Sequence, residues 1–475
     1  MNNNNNNNNI KQGNEPDTLS AQEYSAQEYS AQKYSAQDFE AVASRLLDFI
    51  QASPTCFHTV KNISGRLDDA GYEKLCYEKE WHLVPGKSYY TIRADSSLIA
   101  FRLPEGTAHS FHMTASHCDS PSFKLKENCE ILRDGKYTEL NVEKYGGMLC
   151  APWFDRPLSI AGRLTVRDGE GRLRSELISF DRDLVMLPSL AIHLNREANK
   201  GTAFRIQSDM LPLMGSEEIH GRFKDMLAKE ARTKAENILG YDLFLYDRSR
   251  PCIWGADREY ISSPRLDDLM CVFSSIEALL SAEKSDSISV CCIFDSEEIG
   301  SCTMNGADSE YLKTVMDRIL SCLCISHEQS LCMLSRSFML SADNGHAVHP
   351  NHIDKNDPTN HVYMNHGILI KHSAAGKYTT NAVSASVFRE LCLRNSIPFQ
   401  EYVNNSDIPG GSTLGSISGS HVSVYSADIG AAQLAMHSPY ETAGVKDTRY
   451  LIDAMTAFFG CSLNIDEDGS ITLRQ

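Results

Sequence analysis

Strand-like runs, one of them almost wholly apolar, recur along this chain and stop abruptly at residues able to bind metals or move protons. Ile288 to Phe294 ends in Asp295-Ser296-Glu297-Glu298-Ile299-Gly300, and Phe111 to Ser116 leads into His117-Cys118-Asp119-Ser120-Pro121. Likewise Phe338-Met339-Leu340 runs into Ser341-Ala342-Asp343, and Leu434-Ala435-Met436 into His437. Short strand-like runs of this kind fit buried strands, and the mouths of such strands are where open α/β sheets place their ligands.

Helical periodicity lies elsewhere. Val42, Leu46, Leu47 and Ile50 share one face of a helix starting near Phe39, and further helices are expected over Asp267 to Ala282 and Ala382 to Arg394. Between His117 and Asp267 the pattern changes to short alternating runs. Leu158 to Val166 followed by Asp168-Gly169 is one, and it reads as antiparallel structure with tight turns. The expected fold class is therefore α/β: a helix-flanked, largely parallel mixed sheet split between residues 37–119 and 259–475, interrupted by a β-rich insert at 120–258. Ahead of it, residues 1–36 hold an Asn run and a repeated pentapeptide, from Ser20-Ala21-Gln22-Glu23-Tyr24 to Ser35-Ala36-Gln37-Asp38-Phe39. A period of five advances ~140° around a helix, so the aromatics form no stripe and a disordered tail is expected.

Adjacent carboxylates in a low-dielectric cleft repel when both are ionised, so Glu297 and Glu298 need a proton or a cation between them. Alone, such a pair also fits a solvated loop. The other segments shift the balance toward a metal. Ser263-Pro264-Arg265-Leu266-Asp267-Asp268-Leu269 adds an Asp pair at a turn, and His117-x-Asp119 is a pairing in which a carboxylate fixes a ring's orientation for metal binding. Together His117, an Asp of the 267–268 pair, the tandem Glu, Asp343 and His437 make a mixed N/O set. That set suits zinc, cobalt or manganese, and is enough for two ions about 3.5 Å apart sharing one carboxylate.

Other tempting residues take plainer readings. In Asp343-x-x-His346-x-x-His349, the following Pro350 argues for a loop, so both histidines are left out of the ligand set. Cys322-x-Cys324-x-x-His327 reads as a buried helix with small sulfur-bearing fillers, Cys118 as core packing, and Asp295 as a turn-forming or orienting carboxylate.

In order along the chain, SHCDSP, SPRLDDL, FDSEEIGS, SADNGHAVHPN, DIPGGSTLGSI and AAQLAMHSPYETAG resemble the aspartyl aminopeptidase family of dinuclear zinc aminopeptidases, over about Phe39 to Phe459. The resemblance implies that His117 and Asp343 hold one zinc, Glu298 and His437 the other, and Asp267 bridges them. It also implies Glu297 as general base, with Asp119 orienting His117. His193, in Leu190-Ala191-Ile192-His193-Leu194, would stabilise the tetrahedral oxyanion from a partner subunit; a packed histidine on an apolar stretch is the plainer alternative. Lys371 falls where acid-preferring members place a pocket lysine, and could equally end a strand in solvent. Asp407 would shape the pocket floor or receive the substrate's ammonium. Pro409-Gly410-Gly411 departs from the Pro-Cys-Gly of some acid-preferring relatives. Family members act on peptides, and their insert mediates dimerisation within a tetrahedral dodecamer, so a homo-oligomer is implied.

Composition narrows the partners. A formal net charge of −17 repels nucleic acid and anionic membranes. With 15 scattered cysteines, including adjacent Cys291-Cys292 in an apolar run, a reducing cytoplasmic setting is expected. The alternatives to an aminopeptidase are a dinuclear-metal carboxypeptidase or deacylase, a metal-free hydrolase working through the carboxylate pair, and a non-catalytic assembly protein.

Overall fold

The computed structural model describes residues 33–474 apart from Pro409, Ser412 and Glu467. The Asn run and the first two pentapeptide copies, where disorder was expected, lie outside the described residues, but the end of the expected tail is ordered: Tyr34 packs edge-on against Phe39 and accepts from Arg449. The last copy opens the first described helix, Ala36–Ala52: Ser35 caps it, accepting from Asp38 N, while Asp38 accepts in return from Ser35 N.

A nine-stranded sheet forms the centre of the molecule. Its middle strands Ile288–Phe294, Phe111–His117, Phe338–Ala342 and Tyr425–Gly430 run parallel to one another in that order. Ser97–Arg102 pairs antiparallel on one flank, and Ile368–His372 does so on the other, which makes the sheet mixed around a parallel core. Both faces are covered. Cys291 and Ile293 pack with helices Ala36–Ala52, Leu266–Ser281 and Asp447–Gly460, while Val290, Cys292 and Phe294 pack with Tyr311–Cys322 on the opposite side. Double coverage leaves every residue of Ile288–Phe294, Phe111–His117 and Phe338–Ala342 buried, including His112, Thr114 and Ser116, which interrupt the apolar pattern of Phe111–His117.

Residues 122–247 contribute a separate six-stranded antiparallel sheet, in the order Leu173–Ser179, Leu158–Arg167, Ile238–Asp247, Ser122–Arg133, Tyr137–Tyr145 and Leu213–Ser216. It has its own core around Phe123, Trp153, Leu164 and Leu245. The helices expected at 267–282 and 382–394 are present as Leu266–Ser281 and Ala382–Arg394. One helix expectation is corrected. Cys322 ends the helix Tyr311–Cys322, Cys324 is exposed with φ 55°, and a new helix, His327–Ser335, starts behind a Ser326 cap. A left-handed residue terminates a helix, which apolar periodicity alone does not reveal.

Candidate metal centre

The parallel strands deliver the candidate ligands side by side. Register sets Phe294 opposite His117 and Ser341 opposite Ala115, so the Glu297-Glu298 turn and Asp343 emerge on either side of His117. Asp267 enters from the start of the helix Leu266–Ser281, and His437 from the loop after Ala432–Leu434. Three non-glycine residues at these entries hold left-handed backbone: Arg265 (φ 57°), Ser296 (φ 67°) and His437 itself (φ 65°). Each such conformation costs about 1–3 kcal/mol and tends to cluster at functional sites.

Asp267 lies between the two histidines. Its Oδ1 is 3.5 Å from His117 Nε2, and its Oδ2 is 3.4 Å from His437 Nε2. Asp343 Oδ1 lies 3.9 Å from His117 Nε2, Glu298 Oε1 3.5 Å from His437 Nε2, and Glu297 Oε2 4.0 Å from His117 Nε2. Among the described residues, the sets close enough to share an ion are His117–Asp267–Asp343, Asp267–Glu298–His437 and His117–Glu297–Glu298. Asp268 belongs to none of them. It is buried beside the cluster, accepting His117 N at 3.3 Å.

The electrostatics call for positive charge. Burial pushes the Glu297 carboxyl up to about 7, raises Asp343, and, with the charge of Asp267, lifts Glu298 well above the carboxylate range. Burial opposes protonation of His437, yet hydrogen bonding to Asp267 and the charge of Glu298 overcome it and raise the ring to about 10. Protons are therefore held where cations would sit. Asp267 Oδ1 and Glu298 Oε1 are also buried with no hydrogen-bond donor, a deficit that a divalent ion would relieve. The residues fit a metal.

Asp119 does more than back one ring. His117 Nδ1 is 3.1 Å from the Asp119 carbonyl oxygen and 3.4 Å from Oδ1 of its side chain. The same carboxylate accepts Glu297 N at Oδ1 and Glu298 N at Oδ2, both at 3.1 Å. Asp295, also buried, accepts Ser296 N at 2.7 Å and so shapes the turn.

The remaining sequence candidates are placed differently. Lys371 is 1% exposed, so the alternative of a strand end in solvent is overturned. Its ammonium donates to Asn344 O at 2.7 Å and to Asp343 Oδ2 at 3.3 Å. His193 stands exposed beside Leu190, Ile192 and Leu194, the last 76% exposed, so it is no packed core histidine, and it lies outside the cluster of its own chain. Asp407 is exposed on the loop after Phe399–Val403, its N–H on Asn405 Oδ1 at 3.0 Å. Cys118 is buried, its thiol donating to Ser96 O at 3.2 Å.

Sequence reasoning missed two residues. Glu441 accepts Asp267 N at 3.0 Å and His437 N at 2.8 Å, and Tyr145 donates its phenol to Asp119 Oδ2 at 2.8 Å. The available signal for Glu441 was its place as the lone acid in the motif AAQLAMHSPYETAG.

A doubly covered α/β sheet with clustered imidazoles and carboxylates at its parallel strand ends defines a metallohydrolase. The description "Aminopeptidase I zinc metalloprotease (M18)" matches residues 49–459, and the chain belongs to this M18 family. "Probable M18 family aminopeptidase 2" of Clostridium acetobutylicum is 41% identical over 427 residues, covering 88% of this chain and 98% of that protein. Its namesake in Ectopseudomonas mendocina is 39% identical over 428 residues, covering 88% and 98%. Among solved structures, a chain of the Ape4 and Nbr1 complex superposes with a TM-score of 0.86 at 32% identity, over 89% of this chain and 86% of that one. The mApe1 dodecamer of S. cerevisiae superposes with a TM-score of 0.77 at 27% identity, over 89% and 97%. The chain is a zinc metallo-aminopeptidase of that family.

Proposed function

We propose that this aminopeptidase works with two zinc ions, one held by His117, Asp267 and Asp343, the other by Asp267, Glu298 and His437. The observation carrying this reading is the Asp267 carboxylate, whose two oxygens face different imidazoles at 3.5 and 3.4 Å. Bound metal of this kind lowers the pKa of a water and polarises a carbonyl. Glu297 belongs to neither of those two sets, though it stands with His117 and Glu298 in a third, and in this reading its carboxylate accepts the water's proton and returns it to the departing amine. Asp119 holds that carboxylate's backbone in place. Cobalt or manganese suits the same donors.

Lys371 and Asp407 are the substrate-side groups of this reading. With two of its three N–H groups on Asp343 and Asn344, Lys371 has one left for an acidic first side chain. Asp407, on its exposed loop, would meet the substrate's ammonium. His193 would act in a neighbouring subunit. Residues 120–258 would form the dimerising unit of a tetrahedral dodecamer, supported by the exposed apolar residues flanking His193 and by the dodecameric relative.

The test is Glu297→Gln. Hydrolysis of unblocked peptides should fall about 10²- to 10⁴-fold with two zinc ions per chain retained, while the wild type leaves N-acetylated peptides intact. Cleavage of the blocked peptides, or full activity in the variant, would overturn the proposal.

A further inference from the structure

The six-stranded sheet reaches the candidate metal centre through one short turn. Tyr145 is the last residue of the strand Tyr137–Tyr145, and its hydroxyl donates to Asp119 Oδ2 at 2.8 Å. That oxygen also accepts Glu298 N, while Oδ1 accepts Glu297 N and lies 3.4 Å from His117 Nδ1. One carboxylate thus ties together a candidate ligand, its neighbouring base and the imidazole beside them. Its fourth partner is the phenol from the other sheet.

The turn continues along the second candidate triad. Gly146 has φ +76°, and a Cβ there would fall 3.0 Å from Glu298 Cβ; a Cβ on Gly147 would stand 3.8 Å from His437 Nδ1. Leu149 N then donates to His437 O at 3.1 Å. Glycine permits both the left-handed turn and the close approach. Behind it, Tyr145, Asp119 and Asp267 line a cavity of ≈ 230 Å³ between the two sheets, bordered by Phe244 and Arg265.

We propose that Tyr145 is a positioning residue: its hydrogen bond to Asp119 fixes the backbone of Glu297 and Glu298, so that docking of the six-stranded sheet sets the geometry of the metal pair. The inference rests on the two-zinc reading above. Without the phenol, Asp119 Oδ2 keeps Glu298 N as its remaining donor, and the carboxylate can turn toward the cavity. The Glu297-Glu298 turn then loses a fixed anchor. Removing a partner hydrogen-bonded directly to a metal ligand commonly costs 10- to 100-fold in metal affinity or activity, and Tyr145 acts one step further out, through Asp119, so its loss falls at the low end of that range.

Tyr145→Phe isolates the hydroxyl, because the ring's edge-on packing against Phe244, with centroids 5.4 Å apart, is preserved. In the full-length assembled protein, zinc affinity is measured by competition with a chromophoric chelator, kcat and KM separately, and the visible spectrum after cobalt loading. The expected result is about tenfold weaker binding of one zinc, kcat lower by about tenfold, KM within about twofold, an altered cobalt spectrum and a nearly unchanged melting temperature. In an Asp119→Asn background, Tyr145→Phe should add little further loss, because both changes break one linkage. Wild-type affinity, kcat and cobalt spectrum in Tyr145→Phe would overturn the inference, as would losses fully additive with Asp119→Asn. Should Asp119→Asn fail to fold, the single variant's affinity and spectrum decide the matter. A wild type that binds no zinc pair would sink the two-zinc reading and this inference with it, whereas a two-zinc wild type matched by Tyr145→Phe sinks the inference alone.

Discussion

Glu441 holds Asp267 by its backbone: Glu441 Oε2 accepts Asp267 N at 3.0 Å, while Oε1 accepts His437 N at 2.8 Å. One buried carboxylate therefore anchors the shared candidate ligand and a terminal one together. Cross-strand pairing explains the placement, since Glu441 sits opposite Ser263, just ahead of the turn that carries Asp267. A glutamine there keeps one accepting oxygen and presents an N–H to a backbone N–H. Glu441→Gln should weaken zinc binding by about 10- to 100-fold, read by chelator competition, and lower activity in proportion. Glu441→Ala leaves the backbone N–H groups of Asp267 and His437 and the Gln433 side-chain amide, 3.4 Å from Oε1, without this acceptor, at about 1–3 kcal/mol for each that stays buried, and should lower the melting temperature as well.

Stripping the metal should make stability fall as pH rises. Glu297, Asp295, Glu441 and Asp447 are pushed up to about 7, 6, 8 and 7, chiefly by burial, from ordinary values of 4.5 for Glu and 3.8 for Asp. Between each ordinary and raised value the folded chain binds more protons than the unfolded one, so the folded state loses ground as pH increases. His437, raised from 6.5 to about 10, has the same sign: its stabilising contribution is present below 6.5 and lost through about 10. Asp267 has the opposite sign with its window below 3.8, and burial holds His58 and His112 down to about 4, so they oppose the decline between about 4 and 6.5, where the four raised acids outnumber them. The melting temperature of chelator-treated protein should decline from roughly pH 5 to pH 9, and added zinc should raise it more at the alkaline end, where fewer protons must be displaced. A flat or rising profile in the stripped protein would contradict this charge balance.

The legible part of this molecule is the part encoded locally. His117, Glu297, Glu298 and Asp343 stand at or just beyond the ends of strands covered on both faces, and such strands announce themselves as short β-prone runs that stop at ligand-type residues. The choice between Asp267 and Asp268 was different. Both are buried, adjacent and acidic, and only tertiary geometry puts Asp267 between the imidazoles and turns Asp268 to the backbone of His117. Glu441 and Tyr145 were illegible for the same reason. Each works through a hydrogen bond to a group more than twenty residues away, or within a loop whose path depends on strand pairing, and no spacing rule reports that.

Lys371 offers a contrast between substrate selection and support of the site. Its ammonium touches Asp343 Oδ2 at 3.3 Å, and Asp343 is a candidate zinc ligand. If the remaining donor selects acidic side chains, Lys371→Met should reduce kcat/KM for aspartyl substrates by about tenfold or more relative to leucyl ones. If support of Asp343 is the whole of its role, both substrates should suffer alike, together with zinc affinity. Paired rates on Asp and Leu p-nitroanilides, with metal content measured alongside, separate the two outcomes.

His193 poses a problem of reach that mixed assemblies can solve. It is exposed and outside its own chain's cluster, among Leu190, Ile192 and Leu194, which an interface would cover. If it serves a neighbour's site, His193→Ala alone should lose about 10²- to 10³-fold in kcat, the scale of one oxyanion donor, while zinc binding is unchanged. Glu297→Gln fails for a separate reason, within the other subunit's metal centre. Co-assembled His193→Ala and Glu297→Gln chains should then recover activity, because some sites combine an intact Glu297 with an intact His193 from across the interface. Re-formed oligomers of either variant alone should stay inactive. Recovery on mixing, confirmed by mass measurement of the hybrids, would place His193 across the interface, and its absence in verified hybrids would confine the histidine to its own chain.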